Sequence, residues 1–259
     1  MNNDQYIAPA AWSYAVPLLA LVIMAWVSML DINQTLFLLI NNTSAAYPGD
    51  AFWAYTTILG DAAVSLSLPA LFVGRNPRLL AMSFIAALIA IFLIHGMKWG
   101  LGVLRPAAVL AYDSIHIIGP VLKAKAFPSG HTAGAFVLAG LIGVSPLPVK
   151  LKVAVLIAAI LVGWSRMAVG AHWPLDVLAG AALGWFSAVV AGMVMNKWNM
   201  MQGKSAQTAL AGFFCLAAVW LILGHKTGYD AKPMQWLIGI VSLGTAITGF
   251  MKQQKQQKN

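Results

Sequence analysis

The sequence predicts an all-α bundle of membrane-spanning helices. Of its 259 residues, 60% are hydrophobic and only 9% are charged, whereas a soluble domain carries about 25% charged residues. Apolar runs close to the roughly 20 residues that a helix needs to cross a bilayer recur along the chain. They leave little room for a separate soluble domain, so one membrane domain is expected.

Eight apolar segments are predicted to cross the membrane. The fourth is short, and we expect it to extend at both ends. Residues 31–50, between the first two segments, carry apolar residues at helical spacing, which predicts a short helix lying in the interface. The single cysteine, Cys215, lies in an apolar run, which excludes a disulfide framework. The eight segments are 11–30, 53–73, 79–97, 132–144, 149–168, 175–196, 206–224 and 234–250.

Basic residues are unevenly distributed between the alternate connections of these segments. One set of connections holds nine lysines and arginines against one acid, and the other holds seven against six. Because basic residues favour the cytoplasmic side, both termini are predicted to be cytoplasmic. The connections after the third, fifth and seventh segments would then face outward. This distribution also accounts for the net charge of +9 without a nucleic-acid partner.

Three clusters of polar residues fall in the connections that are predicted to face outward. Together they supply three cations, two histidines, one carboxylate and one helix start. Ionisable groups that gather at one face of so apolar a chain indicate a functional site. The clusters are Lys98 with Arg105-Pro106, then Pro128-Ser129-Gly130-His131, then Ser165-Arg166 with His172 and Asp176.

The first two clusters are suited to hold a phosphate. Lys98 and Arg105 place two cations at about headgroup depth, although anchors that snorkel to the interface would look the same. Ser129 is a natural N-cap, and the free N–H groups of a helix start form an anion site, which Gly130 leaves open to a ligand. An ordinary capped helix explains Ser129 and Gly130, but it does not explain His131 at the membrane edge.

The third cluster places a carboxylate near an imidazole. His172 and Asp176 are four residues apart, a spacing at which the carboxylate fixes the tautomer of the ring. Arg166 adds a planar guanidinium that suits phosphate. The chain has no glutamate and its seven acids are scattered, so paired carboxylates for Mg²⁺ are not expected. A reaction without metal or cofactor is predicted, in which the cations stabilise the phosphate.

In this order and spacing, the three clusters resemble the signature of the type-2 phosphatidic acid phosphatase (PAP2) superfamily. The signature is Lys, six residues, Arg-Pro; then Pro-Ser-Gly-His; then Ser-Arg, five residues, His, three residues and Asp, and the chain matches every fixed position. The resemblance implies a six-span core over residues 1–200. Residues 201–259 would add two spans and a basic cytoplasmic tail.

The resemblance also implies a role for each matched residue. His172 would be the nucleophile that forms a phosphohistidine, and Asp176 would orient it. His131 would be the general acid that protonates the leaving oxygen. The residues that would hold the phosphate are Lys98, Arg105, Ser129, Gly130 and Arg166.

The function implied is that of a lipid phosphatase or diphosphatase of the bacterial inner membrane, with its active site on the periplasmic face and no obligate protein partner. Undecaprenyl pyrophosphate, phosphatidylglycerol phosphate, phosphatidic acid and lipid A are suitable substrates. A lipid phosphotransferase shares the first half-reaction and stays an alternative. A transporter is disfavoured, because its charged site would lie near the bilayer midplane, often within internal repeats.

Residues outside the signature have competing interpretations. Lys123 and Lys125 would bind the substrate headgroup or merely contact anionic lipid. Asp61 is an intramembrane carboxylate. It would either be a functional group that contacts the substrate headgroup or form a structural hydrogen bond. Of the other histidines, His95 is expected to be a structural residue that faces the bundle, whereas His116 and His225 are expected to be solvated.

Overall fold

The computed structural model describes residues 11–198 and 201–258, and helices dominate both ranges. Two short 3₁₀ turns, Leu68–Phe72 and Tyr112–Ser114, interrupt the connections. The α-helices are α1 (Ala11–Met29), α2 (Asn33–Ala46), α3 (Asp50–Ile58), α4 (Ala62–Ser67), α5 (Pro77–Leu101), α6 (Pro106–Val109), α7 (Gly130–Gly143), α8 (Val149–Ala168), α9 (Pro174–Trp198), α10 (Lys204–Leu223) and α11 (Lys232–Lys258).

The lengths of these helices confirm a polytopic helical bundle. Within the described ranges, five helices are long and apolar enough to cross a membrane, or up to seven segments if each of two bent pairs counts as one span. The fourth predicted segment is α7, which has 14 residues and therefore a length of about 21 Å. The extension expected at both of its ends is found only at its start, where α7 begins at Gly130 rather than at residue 132 and is capped by Ser129; it is wrong at the other end, where α7 stops at Gly143.

The two bent pairs lie in the first quarter of the chain. Helix α2 turns by 108° from α1, at the position where a short helix was predicted, and it buries Phe37 and Ile40. The second predicted span is broken into α3 and α4, which are bent by 44°. The break falls at Gly60 and Asp61, and the carboxylate of Asp61 caps α4 by accepting from the N–H of Ala63.

Helix α7 lies at the centre of the bundle, against α5, α8 and α9. Glycines of α9 make a close approach possible, since a Cβ at Gly180 would collide with the carbonyl of Ser129, and one at Gly184 with the carbonyl of Ala133. The contacts advance in the same direction along both helices, so α7 and α9 run parallel. Their N-termini therefore lie side by side at one end of the bundle.

The basic residues predicted to be cytoplasmic lie at the other end. There, Arg78 at the start of α5 bonds Asn196 near the end of α9, and Gln207 near the start of α10 donates to the carbonyl of Pro77 at 3.0 Å. Arg75 bonds Thr248 of α11 at 2.7 Å. Lys98, by contrast, is at the opposite end of α5. The two ends of the bundle thus differ in charge as the sequence predicts.

The last two helices share the core of the others. Helix α10 packs against α4 and α5, and α11 packs against α4 and the 3₁₀ turn before α5. Phe214 and Leu221 of α10 are fully buried. The domain boundary at residue 200 stays a prediction. The connection between α10 and α11 lies at the same end of the bundle as the starts of α7 and α9.

Candidate active site

The three clusters converge at the end of the bundle where α7 and α9 begin, and His172 of the third cluster contacts the first. His172 is in the connection between α8 and α9 and is 2% exposed. Its Nδ1 is 3.2 Å from Oδ2 of Asp176, which also accepts from the N–H of Trp173 at 2.9 Å. Its Nε2 is 3.2 Å from Nη1 of Arg105. Because a guanidinium can only donate, Nε2 carries the lone pair and Nδ1–H faces the carboxylate.

The environment of His172 keeps its ring neutral. Burial first, and then the charges of Arg105, Arg166 and Lys98, lower the pKa of His172 well below its usual range. Both effects oppose the charged form of an imidazole. At neutral pH, Nε2 is therefore an unprotonated nitrogen, which is the state that a nucleophile requires.

The first cluster is brought to His172 by a sharp turn. Helix α5 ends at Leu101, where Gly102 takes the left-handed conformation with a φ of 56°, and the chain turns back. Nη1 of Arg105 donates to the carbonyl of Ala171 at 3.0 Å, and its Nε to the carbonyl of Ala124 at 2.8 Å. Nζ of Lys98 donates to the carbonyl of Lys125 at 2.7 Å. The two cations are thus oriented by backbone carbonyls rather than by carboxylates.

The second cluster forms the start of α7. Ser129 is buried, and its Oγ accepts from Thr132, at 2.9 Å from the hydroxyl and 3.4 Å from the N–H. Its own N–H donates to the carbonyl of Asp176 at 2.9 Å, which ties the starts of α7 and α9 together. The nearest atom that a Cβ at Gly130 would meet is 3.9 Å away, on Ile94, so this side of the helix start is open.

Arg166 is a buried cation with spare hydrogen-bonding capacity. It is 1% exposed, and its Nη1 bonds the hydroxyl of Thr57 and, at 2.9 Å, the hydroxyl of Tyr229. Its Nε has no hydrogen-bond partner among the described residues. Since a buried charge is costly unless it is paired, this arrangement favours a bound anion beside Arg166.

His131 is the second histidine at the site. Its Nε2 is buried without a hydrogen-bond partner in the parts of the chain that the structure describes. The nearest carboxylate oxygen is Oδ2 of Asp61, at 4.0 Å. Oδ1 of the same carboxylate is 2.8 Å from Nε2 of His225. Asp61 therefore lies between two histidines.

An apolar cavity of about 230 Å³ opens beside His131 and Gly130. It runs between α4, α5 and α7, mainly between alanine, isoleucine and leucine side chains, and reaches Phe214 of α10. His95 is exposed and lines this cavity, so the expectation of a satisfied histidine inside the bundle is wrong. A hydrocarbon chain fits such a lining better than a polar group does.

The two lysines suggested for headgroup binding are exposed. Nζ of Lys125 lies 3.3 Å from the centre of the Trp99 ring, and Nζ of Lys123 lies 5.9 Å from that of Tyr112. What reaches the site is their backbone, because their carbonyls accept from Lys98 and from the N–H of Arg105. Their contact with a headgroup stays a prediction.

Several residues that contact the signature residues or Asp61 were not predicted from the sequence. His225 is only 16% exposed and faces Asp61, so the expectation that it is solvated is wrong. Tyr229, which bonds Arg166, is buried. His116 is 35% exposed and pairs with Asp50 at 2.8 Å. One signal existed for His225 and Tyr229, since their connection was predicted to face the same side as the clusters.

The fold and this site are those of a membrane phosphatase of the PAP2 type. A profile of the PAP2 superfamily matches residues 79–200. The structure is similar to the crystal structure of LpxE from Aquifex aeolicus, with a TM-score of 0.57 and 30% identity over 62% of this chain and 95% of that chain. The chain therefore belongs to the PAP2 superfamily, as the signature predicts.

Other relatives match over shorter segments. The lipid A 1-phosphatase of Rhizobium etli is 46% identical over 70 residues, which are 26% of this chain and 28% of that protein. The undecaprenyl-diphosphatase of Sulfolobus acidocaldarius is 35% identical over 113 residues, 42% of this chain and 50% of that protein. The matches thus span half or less of these relatives.

A second solved structure shares the fold. It is the crystal structure of a transmembrane PAP2-type phosphatidylglycerolphosphate phosphatase from Bacillus subtilis. The identity is 20% and the TM-score 0.52, over 72% of this chain and 96% of that chain. At this level of identity, the likeness concerns the fold alone.

Proposed function

We propose that this protein is a membrane lipid phosphatase that forms a phosphohistidine on His172 and needs no metal. The observation that carries the proposal is the environment of Nε2 of His172. It is an unprotonated nitrogen that is buried, held by Asp176 on the far side of its ring and faced by Arg105. This is a nucleophile aimed at a position where cations would hold a phosphate.

In the first half-reaction, the oxygens of the substrate phosphate accept hydrogen bonds from the guanidinium of Arg105, which faces His172, and from the Nε–H of Arg166, which is unpaired among the described residues. Nε2 of His172 attacks phosphorus, and the bond from phosphorus to the leaving oxygen breaks. His131 donates a proton to that oxygen. Asp176 holds the Nδ1 proton and stabilises the positive charge that develops on the ring.

In the second half-reaction, water enters the position that the leaving group has vacated. His131, now without its proton, accepts one from this water, and the hydroxyl oxygen attacks phosphorus. The bond from phosphorus to Nε2 breaks, and inorganic phosphate leaves. Both histidines return to their starting states, so the cycle consumes one water for each phosphate released.

A lipid substrate is supported by the apolar cavity beside His131. The leaving oxygen must lie at the acid, so the chain attached to it would begin where the cavity opens. Two relatives carry names that refer to lipid A and to undecaprenyl diphosphate. We therefore place these two lipids ahead of phosphatidylglycerol phosphate and phosphatidic acid as substrates of this protein.

Release of phosphate from these four lipids in detergent tests the proposal. We expect one of them to be hydrolysed by the purified chain, in the presence of EDTA, and vanadate to inhibit by imitating pentacoordinate phosphorus. If none of the four lipids releases phosphate, the phosphatase function is rejected. Activity that EDTA removes and Mg²⁺ restores would reject the metal-free reaction while leaving the phosphatase function intact.

We further propose that the site faces the periplasm, because the opposite end of the bundle carries the excess of basic residues. Single cysteines at two exposed positions, Asp113→Cys and Lys150→Cys, test this in a Cys215→Ala background. An impermeant thiol reagent should label the cysteine at position 113 in spheroplasts, and the one at position 150 only after lysis. The reverse pattern would place the site in the cytoplasm.

A further inference from the structure

The connection 224–231, between α10 and α11, brings two side chains to the site. It lies outside the segment 79–200 that matches the family. Tyr229 accepts a hydrogen bond from Nη1 of Arg166 at 2.9 Å, and the guanidinium lies 5.7 Å from the centre of its ring. His225 lies beside Asp61. This connection therefore contacts the site through two separate residues.

His225 is held in place on both sides of its ring. Its Nε2 lies 2.8 Å from Oδ1 of Asp61, an ion-pair distance although the angle is outside that of a hydrogen bond. The ring packs against Trp220, with the two centroids 4.6 Å apart. The backbone carbonyl of His225 accepts from Nε2 of Gln235 at 2.8 Å. The position of His225 is thus set by α10 and α11, not by solvent.

Asp61 is held beside His131 by the break between α3 and α4. Its Oδ1 accepts from the N–H of Ala63 at 2.8 Å, which fixes the carboxylate at the start of α4. Gly60 permits the approach, because a Cβ there would collide with the carbonyl of His131 and with Val162. Oδ2 is left facing Nε2 of His131 at 4.0 Å.

We propose that His225 and Asp61 are positioning residues for the general acid, His131. His225 holds Oδ1 of Asp61, so that Oδ2 faces the ring of His131. The inference rests on the phosphatase function proposed above. It concerns how the leaving group is protonated, and it makes the C-terminal helix pair a part of the active site.

The physical reason is the charge that surrounds His131. Lys98, Arg105 and Arg166 gather on the phosphate side, and their charges oppose a proton on a nearby imidazole. An acid must hold its proton until transfer and must direct it at the leaving oxygen. A carboxylate beside the imidazole offsets those cations and orients the ring. Asp61 is the acid that lies there, and His225 orients it.

Leaving-group dependence distinguishes this role from a structural one. His225→Ala and Asp61→Asn should lower kcat on the preferred lipid phosphate by roughly 10- to 100-fold, the cost of a misplaced catalytic group. Hydrolysis of p-nitrophenyl phosphate should fall less, because its leaving group needs little help from an acid. Asparagine is also a good N-cap, so Asp61→Asn preserves the start of α4. In a His131→Ala background, Asp61→Asn should change kcat by about 2-fold or less.

His116→Ala is the matched control. His116 also lies 2.8 Å from a carboxylate, that of Asp50, and the side-chain contacts described for this pair include no signature residue, so the loss of the imidazole should leave both activities unchanged. His225→Gln, which keeps a polar side chain beside Asp61, should recover part of the activity that His225→Ala loses. Thermal unfolding in detergent shows whether each variant is folded.

Equal losses on both substrates in a folded His225→Ala variant would overturn the inference, as would full additivity of Asp61→Asn with His131→Ala. So would a His225→Ala variant that behaves like His116→Ala. In each of these outcomes the unaltered protein is active, so the phosphatase function would stand. An unaltered protein that releases no phosphate from any substrate would reject both.

Discussion

Two histidine–aspartate pairs flank the proposed phosphate site, and they are built differently. His172 and Asp176 come from one short segment, are 3.2 Å apart, and are both 2% exposed. His131 and Asp61 come from different helices and are 4.0 Å apart, and the histidine is 25% exposed. A third residue, His225, lies in the connection between α10 and α11 and contacts Asp61 of the second pair. We refer to these as the nucleophile pair and the acid pair.

The difference matches what each pair is proposed to do. The nucleophile pair must be dry and rigid, because water near Nε2 would compete with the phosphate and weaken the field of the cations. The acid pair must admit a leaving group and then a water molecule, and it adjoins the apolar cavity. The proposed nucleophile and its carboxylate therefore come from one local motif, whereas the proposed acid and its carboxylate are brought together from distant segments.

The largest expected effect concerns the nucleophile pair. His172→Ala should reduce phosphate release by about 10⁴-fold or more, since loss of a nucleophile removes the covalent route altogether. The acid-labile phosphoenzyme seen after rapid quenching of a reaction with ³²P-labelled lipid should also vanish. His116→Ala serves as the control. A phosphoenzyme that persists in the folded His172→Ala variant would assign the nucleophile to another residue.

A smaller effect is expected from the acid pair. His131→Ala should lower kcat on a lipid alcohol leaving group by about 10²- to 10⁴-fold, the usual contribution of general acid catalysis. The defect should shrink on p-nitrophenyl phosphate, whereas that of His172→Ala should not. If both variants lose the same factor on both substrates, the division of roles between the two pairs is wrong.

The smallest effect is a displacement of the pH profile. Burial and neighbouring cations lower the pKa of His172, so its ring stays neutral as the pH falls through the ordinary histidine range near 6.5. The loss of kcat/KM that protonation of His172 causes should therefore begin only below that range. Arg105→Gln removes the nearest cation, which raises the pKa of His172 and should move this acid limb upward.

The positions of the acid limbs in the pH profiles of the unaltered protein and of Arg105→Gln provide the check. Arg105→Gln also weakens phosphate binding, so the comparison uses the position of the acid limb and not the rate. An unchanged limb in Arg105→Gln would show that the charge of Arg105 does not reach the ring of His172. An acid limb at or above the ordinary range in the unaltered protein would contradict the lowered pKa directly.

Features that depend on neighbours in sequence were predictable. The fifth segment was predicted at 149–168 and α8 spans Val149–Ala168, because the long apolar run 153–164, with Pro148 shortly before it, leaves few alternatives. The spacing of His172 and Asp176 brings them together locally, since Asp176 lies in the first turn of α9 and His172 just before that helix. The N-cap at Ser129 is likewise a local feature.

The sequence by itself determined the class of fold, the three clusters and the nucleophile pair, because hydropathy and short-range spacing act within a few residues. The tertiary structure alone decided that the second span breaks beside Gly60 and that the acid pair forms at all. Hydropathy does not show which polar atoms share a buried site, and His225 reaches Asp61 only because α10 packs against α4. Contacts between distant segments are set by how whole helices pack, and no local pattern encodes them.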